Sequence, residues 1–166
     1  MRITRLVLRK PMIAALLVLA AGGVASAQNR PEPPVWISFF TSGGALSGSG
    51  AMVNYIGDDV TFRVYKGLGL GVGGEAGREF GADGGFVLFS GNVSYHFKRL
   101  ERWNPFITGG YSTIFRQGTR EGGGNFGAGV KYWFNNHVGL HLEFRNHIFT
   151  GAARSFSEFR IGFGLR

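Results

Sequence analysis

The fold is decided by one stretch of the sequence, residues 138–149, which reads Val138-Gly139-Leu140-His141-Leu142-Glu143-Phe144-Arg145-Asn146-His147-Ile148-Phe149. The apolar members are Val138, Leu140, Leu142, Phe144 and Ile148, and the positions between them hold Gly139, His141, Glu143, Arg145 and His147. Alternation with a period of two is the pattern of a β-strand that has one apolar and one polar face. The stretch therefore predicts a strand in the wall of a sheet or a barrel.

The same alternation recurs in seven other segments of the chain. It is clear in residues 86–97, 125–134 and 157–165, and fainter in residues 60–65, 68–76 and 106–115. Residues 35–42 form the first and least one-sided segment. Single-chain barrels of bacterial outer membranes have an even number of strands. The pattern predicts an all-β fold, an eight-stranded antiparallel up-and-down transmembrane β-barrel.

The composition favours the same fold. The chain holds 29 glycines among 166 residues, or about one residue in six, whereas average usage is about 7 %. A glycine inside a helix costs about 1 kcal/mol relative to alanine, but glycine suits curved sheets whose walls approach closely. The chain has no cysteine, which excludes disulfides and thiolate metal sites.

The N-terminus has the three parts of a secretory signal. Four basic residues, Arg2, Arg5, Arg9 and Lys10, precede an apolar run at residues 12–21, and small residues follow at 25–27. The run is shorter than the ~20 apolar residues of a membrane-spanning helix. We predict a signal peptide over residues 1–27, cleaved after Ala27 on export through the Sec pathway. A periplasmic lead-in over residues 28–34 and the barrel over residues 35–166 follow, and an uncleaved N-terminal anchor is the alternative.

The charge balance gives little support for a nucleic-acid partner. The whole chain has 18 basic and 10 acidic residues, a net charge of +8. Removing the four bases of the signal leaves fourteen against ten, a net charge of +4. No cluster of Lys and Arg with interleaved aromatic residues lies on one element of the sequence.

The connections between the strands alternate in kind. Tight turns are predicted at residues 66–67, 99–104 and 135–137, and Gly/Ser/polar loops at 43–59, 81–85, 118–124 and 151–155. With the N-terminus in the periplasm, the turns face the periplasm and the loops face the exterior. The longest loop, residues 43–59, ends in two aspartates, and we predict that it provides the binding site for an extracellular ligand. Aromatic girdles are predicted at both ends, with Phe80, Phe115 and Phe156 at the outer one.

Seven charged residues lie on the polar faces of the predicted strands: Arg63, Glu75, Lys131, Glu143, Arg145, Glu158 and Arg160. An eight-stranded barrel has an interior just wide enough for side chains to fill, and an unpaired charge there costs several kcal/mol. Four bases face three acids in this set. We predict that they form a polar network that plugs the lumen, so that the barrel is not an open pore.

Four segments together resemble the bacterial outer-membrane β-barrel domain family of small OmpX-like eight-stranded barrels. They read NPFITGG at 104–110, FGAGVKY at 126–132, GLHLEFR at 139–145 and FRIGFGL at 159–165. The resemblance implies a place in the cell outer membrane. The partners would be outer-membrane lipid and lipopolysaccharide, with periplasmic chaperones and the barrel-assembly machinery during biogenesis. One departure is the final residue, Arg166, where such barrels usually end on an aromatic residue.

Catalytic and metal sites have weak signals. The histidines are His96, His137, His141 and His147. His141 and His147 share a predicted face but lie about 20 Å apart along a strand, so we expect no metal site and no cofactor. Lipid A deacylases carry a His-x-Ser pair, and the comparable stretch here has Phe149 two residues after His147.

We therefore predict a protein that is not an enzyme and acts as a structural or surface-interaction scaffold. Two alternatives stay open. One is an outer-membrane lipid-modifying hydrolase of the lipid A deacylase kind. The other is a soluble periplasmic β-barrel that binds a small apolar ligand, in which the apolar faces would point inward.

Overall fold

A computed structural model describes residues 35–46, 52–79, 84–97, 102–150 and 155–166. Eight antiparallel strands follow one another around a closed barrel, and the first pairs with the last. The strands are β1 Val35–Leu46, β2 Met52–Tyr65, β3 Leu68–Glu79, β4 Gly85–His96, β5 Trp103–Arg116, β6 Thr119–Trp133, β7 Val138–Phe149 and β8 Ser155–Leu165. The predicted fold class is confirmed, while the predicted signal peptide and lead-in lie outside the described residues.

The stagger of the strands sets the shape of the barrel. Paired residues followed once around the barrel from Trp103 on β5 return to that strand at Thr113, ten positions further on. With strands about 4.8 Å apart and a rise of about 3.3 Å per residue, this stagger tilts the strands by about 40° from the barrel axis. Each residue therefore climbs about 2.5 Å along the axis. In the described part of the chain, no helix is long and apolar enough to cross a membrane.

The two faces of the wall differ as the alternation predicts. On β4, every second residue is buried from Phe86 to His96, and the residues between them point outward. Large apolar side chains cover the outer surface, with Phe144 51 %, Phe163 59 % and Val72 60 % exposed. The polar face points into the lumen, so the apolar faces do not point inward.

Two predicted tight turns are confirmed at the end of the barrel where the chain enters β1 and leaves β8, which we call the terminal end. Lys66 and Gly67 join β2 to β3, both with positive φ, 32° and 91°. A Cβ atom at Gly67 would lie 2.5 Å from the carbonyl oxygen of His96, so glycine is required there. In the second turn, the Asn135 side-chain oxygen accepts hydrogen bonds at 2.8 Å from the backbone N–H groups of His137 and Val138.

The predicted long loop at residues 43–59 is wrong. β1 continues to Leu46 and β2 begins at Met52, and the two strands are paired as far as Ala45 and Met52. The glycines in this stretch are wall positions where neighbours come close. A Cβ atom at Gly57 would lie 2.7 Å from the ring of Phe40.

The predicted loop at residues 118–124 is wrong for the same reason. β6 begins at Thr119, and only Gln117 and Gly118 form the turn from β5. A Cβ atom at Gly123 would overlap the backbone carbonyl of Ile148 on β7. The end of the barrel opposite the terminal end, here called the far end, therefore carries short connections.

Candidate functional site in the barrel lumen

The lumen is filled by three layers of side chains along the axis. The basal layer, at the terminal end, contains Trp36, Trp133, His96, Phe106 and Lys131. The ionic layer, in the middle, contains Glu75, Glu143, Arg145, Glu158 and Arg160. The apolar cap, towards the far end, contains Phe40, Phe86, Leu88, Ile114, Phe149 and Phe156.

The basal layer combines aromatic rings with cations. Trp36 and Trp133 are each 1 % exposed, with ring centroids 6.4 Å apart. The Lys131 Nζ atom lies 4.9 Å from the Trp36 ring centroid. The guanidinium of Arg166, the last residue, lies 4.1 Å from the ring of Trp133, and its Nε–H donates to the Asn136 carbonyl oxygen at 2.8 Å. These cation–π contacts close the terminal end of the lumen.

Arg160 is the centre of the ionic layer. Its Nε–H donates to Glu158 Oε1 at 2.8 Å, and its Nη2 atom contacts the same oxygen at 2.6 Å. Nη2 also binds Glu75 Oε1, and Nη1 lies 3.6 Å from Glu143 Oε2. Glu75 is on β3, across the barrel from β7 and β8. Arg160 therefore braces opposite walls, and the three carboxylates offset the desolvation of its buried charge.

A second cluster joins the ionic layer to the terminal end. The Arg145 Nε–H donates to Glu143 Oε1 at 2.7 Å, and Arg145 Nη2 lies 2.6 Å from that oxygen. The other oxygen of Glu143 lies 3.1 Å from His141 Nε2, while His141 Nδ1 lies 3.0 Å from the Ser38 hydroxyl. Glu143 thereby connects two cationic side chains with a histidine that reaches β1.

His147 links a hydroxyl to a carboxylate beneath the apolar cap. Its Nδ1 atom lies 3.0 Å from Ser112 Oγ, and its Nε2 atom lies 2.9 Å from Glu158 Oε1. Serine, histidine and glutamate are the residue types of a catalytic triad. Here, however, all three are 0–1 % exposed, and the His147 ring stacks on Phe149 and Phe156 at 6.0 and 5.7 Å. Ser112 is thus fully buried in this structure, and the arrangement ties β5 to β7 and β8.

The structure distributes the seven predicted network residues unevenly. Glu75, Glu143, Arg145, Glu158 and Arg160 come together in the ionic layer. Lys131 is buried in the basal layer, and Arg63 lies at the terminal end with its guanidinium 5.5 Å from the Trp36 ring centroid. Residues 131 and 63 are thus cations beside aromatic rings, which alternation alone could not indicate.

Sequence reasoning missed Asp59, which it placed in a loop. Asp59 is 8 % exposed inside the lumen, and its Oδ1 atom accepts a hydrogen bond of 2.8 Å from Thr61. With Asp59 included, four acidic residues face four basic ones. His141 and His147 were also missed as members of the network, although they share a face with Glu143 and Arg145 and that shared face was the available signal.

The space left among these side chains is small. A cavity of about 10 Å³ lies between Asp59, Asn92, Lys131, His141 and Glu143, which is room for about one water molecule. Within the described residues, no group of three His, Cys, Asp or Glu side chains could hold a metal ion.

Comparison with known proteins finds similarity in fold. No protein-family model and no curated protein sequence matches the chain. Neisserial surface protein A (NspA) superposes with a TM-score of 0.65 at 17 % identity, over 82 % of this chain and 99 % of that one. The attachment invasion locus protein Ail of Yersinia pestis gives 0.52 at 13 % identity, over 79 % and 95 %. The outer-membrane enzyme PagL gives 0.55 at 14 % identity, over 77 % and 98 %. The predicted resemblance to small eight-stranded outer-membrane barrels is confirmed for the fold.

Proposed function

We propose that this chain is an outer-membrane protein whose plugged barrel acts as a structural or surface-interaction scaffold and not as an open pore. The observation that carries the proposal is the filled lumen inside an apolar outer wall. Three packed layers occupy the axis, and the cavity beside Lys131 has room for about one water molecule.

The outer surface supports the membrane location. From Trp103 to Thr113 the wall of β5 climbs about 25 Å along the axis, which matches the apolar band of outer-membrane barrels. Aromatic pairs lie at the terminal end, with Trp103 and Tyr132 at 4.7 Å and Tyr95 and Phe97 at 5.2 Å between ring centroids. Such rings suit a bilayer interface, so we place the terminal end in the periplasm. This outer surface also argues against the soluble, ligand-binding barrel.

The charges in the lumen support the absence of a pore. Opening a path along the axis would separate Arg160 from three carboxylates on β3, β7 and β8. Breaking one buried pair costs about 3–5 kcal/mol when a charge is left uncompensated. A conducting state of this barrel is therefore expected to be too rare to carry a stable current.

The partners in this proposal are lipids and the export apparatus. Arg78 on β3 and Arg120 on β6 are exposed at the far end, where their charges could contact the phosphates of lipopolysaccharide. Periplasmic chaperones and the barrel-assembly machinery would act during biogenesis. We propose no enzymatic activity although PagL shares the fold, because Ser112 and His147 lie beneath the apolar cap.

Two measurements test the proposal. Outer-membrane fractionation should recover the protein with the membrane, and the unheated protein should migrate differently on SDS gels from the heated one. The purified barrel in planar bilayers should give no stable conductance. A soluble, detergent-free protein would contradict the location, and reproducible single-channel currents would contradict the plug.

A further inference from the structure

The apolar surface of the barrel ends at different heights on its two sides. On β2 the outward-facing residues from the terminal end are Val64, Phe62 and Val60, and the next is Asp58, which is exposed. Asp58 pairs with Phe39 on β1 and Gly74 on β3. On β8, two strands away around the barrel, the outward-facing residues Leu165, Phe163, Ile161 and Phe159 are all apolar.

The heights of these residues along the barrel axis, measured from Trp103, follow from the stagger of the strands. Each step to the next strand along the paired row rises about 3 Å. Asp58 is five steps from Trp103, so it lies about 15 Å up, well inside a band about 25 Å tall. The unbroken series of outward-facing apolar residues ends about 10–14 Å up on β1–β3 but about 16–19 Å up on β6–β8. The series ends at Phe39, Val60 and Val72 on the first side, and at Phe126, Phe144 and Phe159 on the second. Ile56 on β2 and Ile148 on β7 are exposed beyond these ends, separated from them by Asp58 and Asn146.

A simple tilt of the barrel in the membrane does not account for this difference. A tilt would displace both borders of the apolar surface, yet the lower border is level. Val64 on β2 and Val138 on β7 both lie within about 2 Å of the height of Trp103. Only the border towards the far end is uneven.

Asp58 lies just beyond the lower part of this uneven border, where its carboxylate faces the lipid. A carboxylate facing hydrocarbon is costly, and such residues normally pair or reach water. Among the described outward-facing side chains, the basic ones at the far end are Arg78 and Arg120, both above the apolar surface. A Cβ atom at Gly74 would lie 3.6 Å from Asp58 Oδ1 and 3.7 Å from the ring of Phe89. The carboxylate therefore lies beside a wall position that has no side chain.

We propose that the β1–β3 wall locally thins the outer leaflet, so that lipid headgroups and water reach Asp58. The proposal rests on the membrane location proposed above. The partner is the lipid of the outer leaflet, whose acyl chains meet a shorter apolar surface on this side and a taller one on β6–β8.

Probe accessibility tests this directly, because the chain has no native cysteine. Ile56 on β2 and Phe159 on β8 face outward, 75 % and 51 % exposed, at nearly equal heights of about 20 Å. Ile56→Cys and Phe159→Cys would each carry an environment-sensitive fluorophore in dioleoylphosphatidylcholine vesicles. Iodide added outside should quench the probe at position 56 several-fold more strongly. Equal quenching of the two probes would overturn the proposal, whereas failure of both variants to float with the vesicles would refute the membrane location instead.

Lipid length provides the second test. Asp58→Leu extends the apolar surface on β2, and Ile161→Asp places a carboxylate at about the same height on β8. In dioleoylphosphatidylcholine, Asp58→Leu should raise the folding equilibrium constant roughly tenfold, equivalent to about 1.4 kcal/mol. In the thinner dilauroyl lipid, it should change the constant little. Ile161→Asp should lower it in both lipids.

An Asp58→Leu effect independent of lipid length would overturn the proposal. So would a disulfide-linked dimer of Asp58→Cys in the vesicles, because a second copy and not thinned lipid would then cover this wall.

Discussion

The ionic layer and the apolar cap fill the same lumen by opposite means. Arg160 holds β3, β7 and β8 through a few directional charge contacts, whereas Leu88 and its neighbours fill the far end by shape alone. An unpaired charge costs more than a lost methyl group, because it must stay desolvated when its partner is removed. The two layers should therefore respond differently to truncation.

The largest effect is expected for Arg160→Ala, which leaves three buried carboxylates without their shared cation. We expect a loss of about 3–5 kcal/mol in the free energy of unfolding, measured by urea titration in lipid vesicles with tryptophan fluorescence. Arg120→Ala at the far end is the control, and it should change the free energy of unfolding by no more than about 0.5 kcal/mol. Equal stability of the two variants would show that the ionic layer does not brace the barrel.

Leu88→Ala tests the cap. Leu88 is 0 % exposed, and its truncation should destabilise the barrel by about 3 kcal/mol through lost burial and a residual cavity. Val87→Ala, the outward-facing neighbour on β4, should cost clearly less in the same titration. If Leu88→Ala exceeds Arg160→Ala, the order of the two layers is reversed.

Ser112→Ala probes the boundary between the layers. The hydroxyl accepts a hydrogen bond of 2.8 Å from Asn125 Nδ2 and lies 3.0 Å from His147 Nδ1. Its loss leaves buried polar atoms without a partner, and we expect a cost of about 2 kcal/mol. Turnover of a p-nitrophenyl ester should be undetectable with or without Ser112. A wild-type esterase activity abolished in this variant would revive the hydrolase alternative.

The smallest effect is expected for Arg166→Ala in the basal layer. It removes the cation from the face of Trp133 and one hydrogen bond at the barrel end. Such partly exposed contacts are worth about 1 kcal/mol or less. The unfolding midpoint should shift slightly, with a change in tryptophan fluorescence, while Arg166→Lys should retain part of the contact.

The sequence predicted those strands whose two faces differ in polarity. β6, β7 and β8 were predicted with the correct faces because Lys131, Glu143 and Glu158 alternate with large apolar residues. β1 was predicted as a strand, but its faces could not be assigned, since Trp36 and Phe40 belong to the lumen and make both of its faces apolar. Phe156 was expected in an outer girdle, yet it is 3 % exposed inside the cap, on the same face of β8 as Glu158 and Arg160.

The connections were predicted less well, because glycine has two structural roles in this chain. At Gly67 it permits a tight turn, as expected. At Gly57 and Gly123 it permits a neighbour to approach the wall, and this packing role depends on contacts from other strands. Because residues 43–59 were predicted as a loop, the position of Asp59 in the lumen was not predicted. The pairing of Arg160 with Glu75 joins strands far apart in the chain and leaves no local signal.

The pairing of β1 with β8 sets the order in which this barrel can assemble. The other strand pairs are hairpins between neighbours in the chain, but Ile37 and Leu165 meet across almost the whole barrel sequence. The entropy lost on closing such a long segment is recovered only when many contacts form together. Ring closure should therefore be the late, cooperative step of folding. The β1–β8 seam is correspondingly where a strained barrel should first come apart.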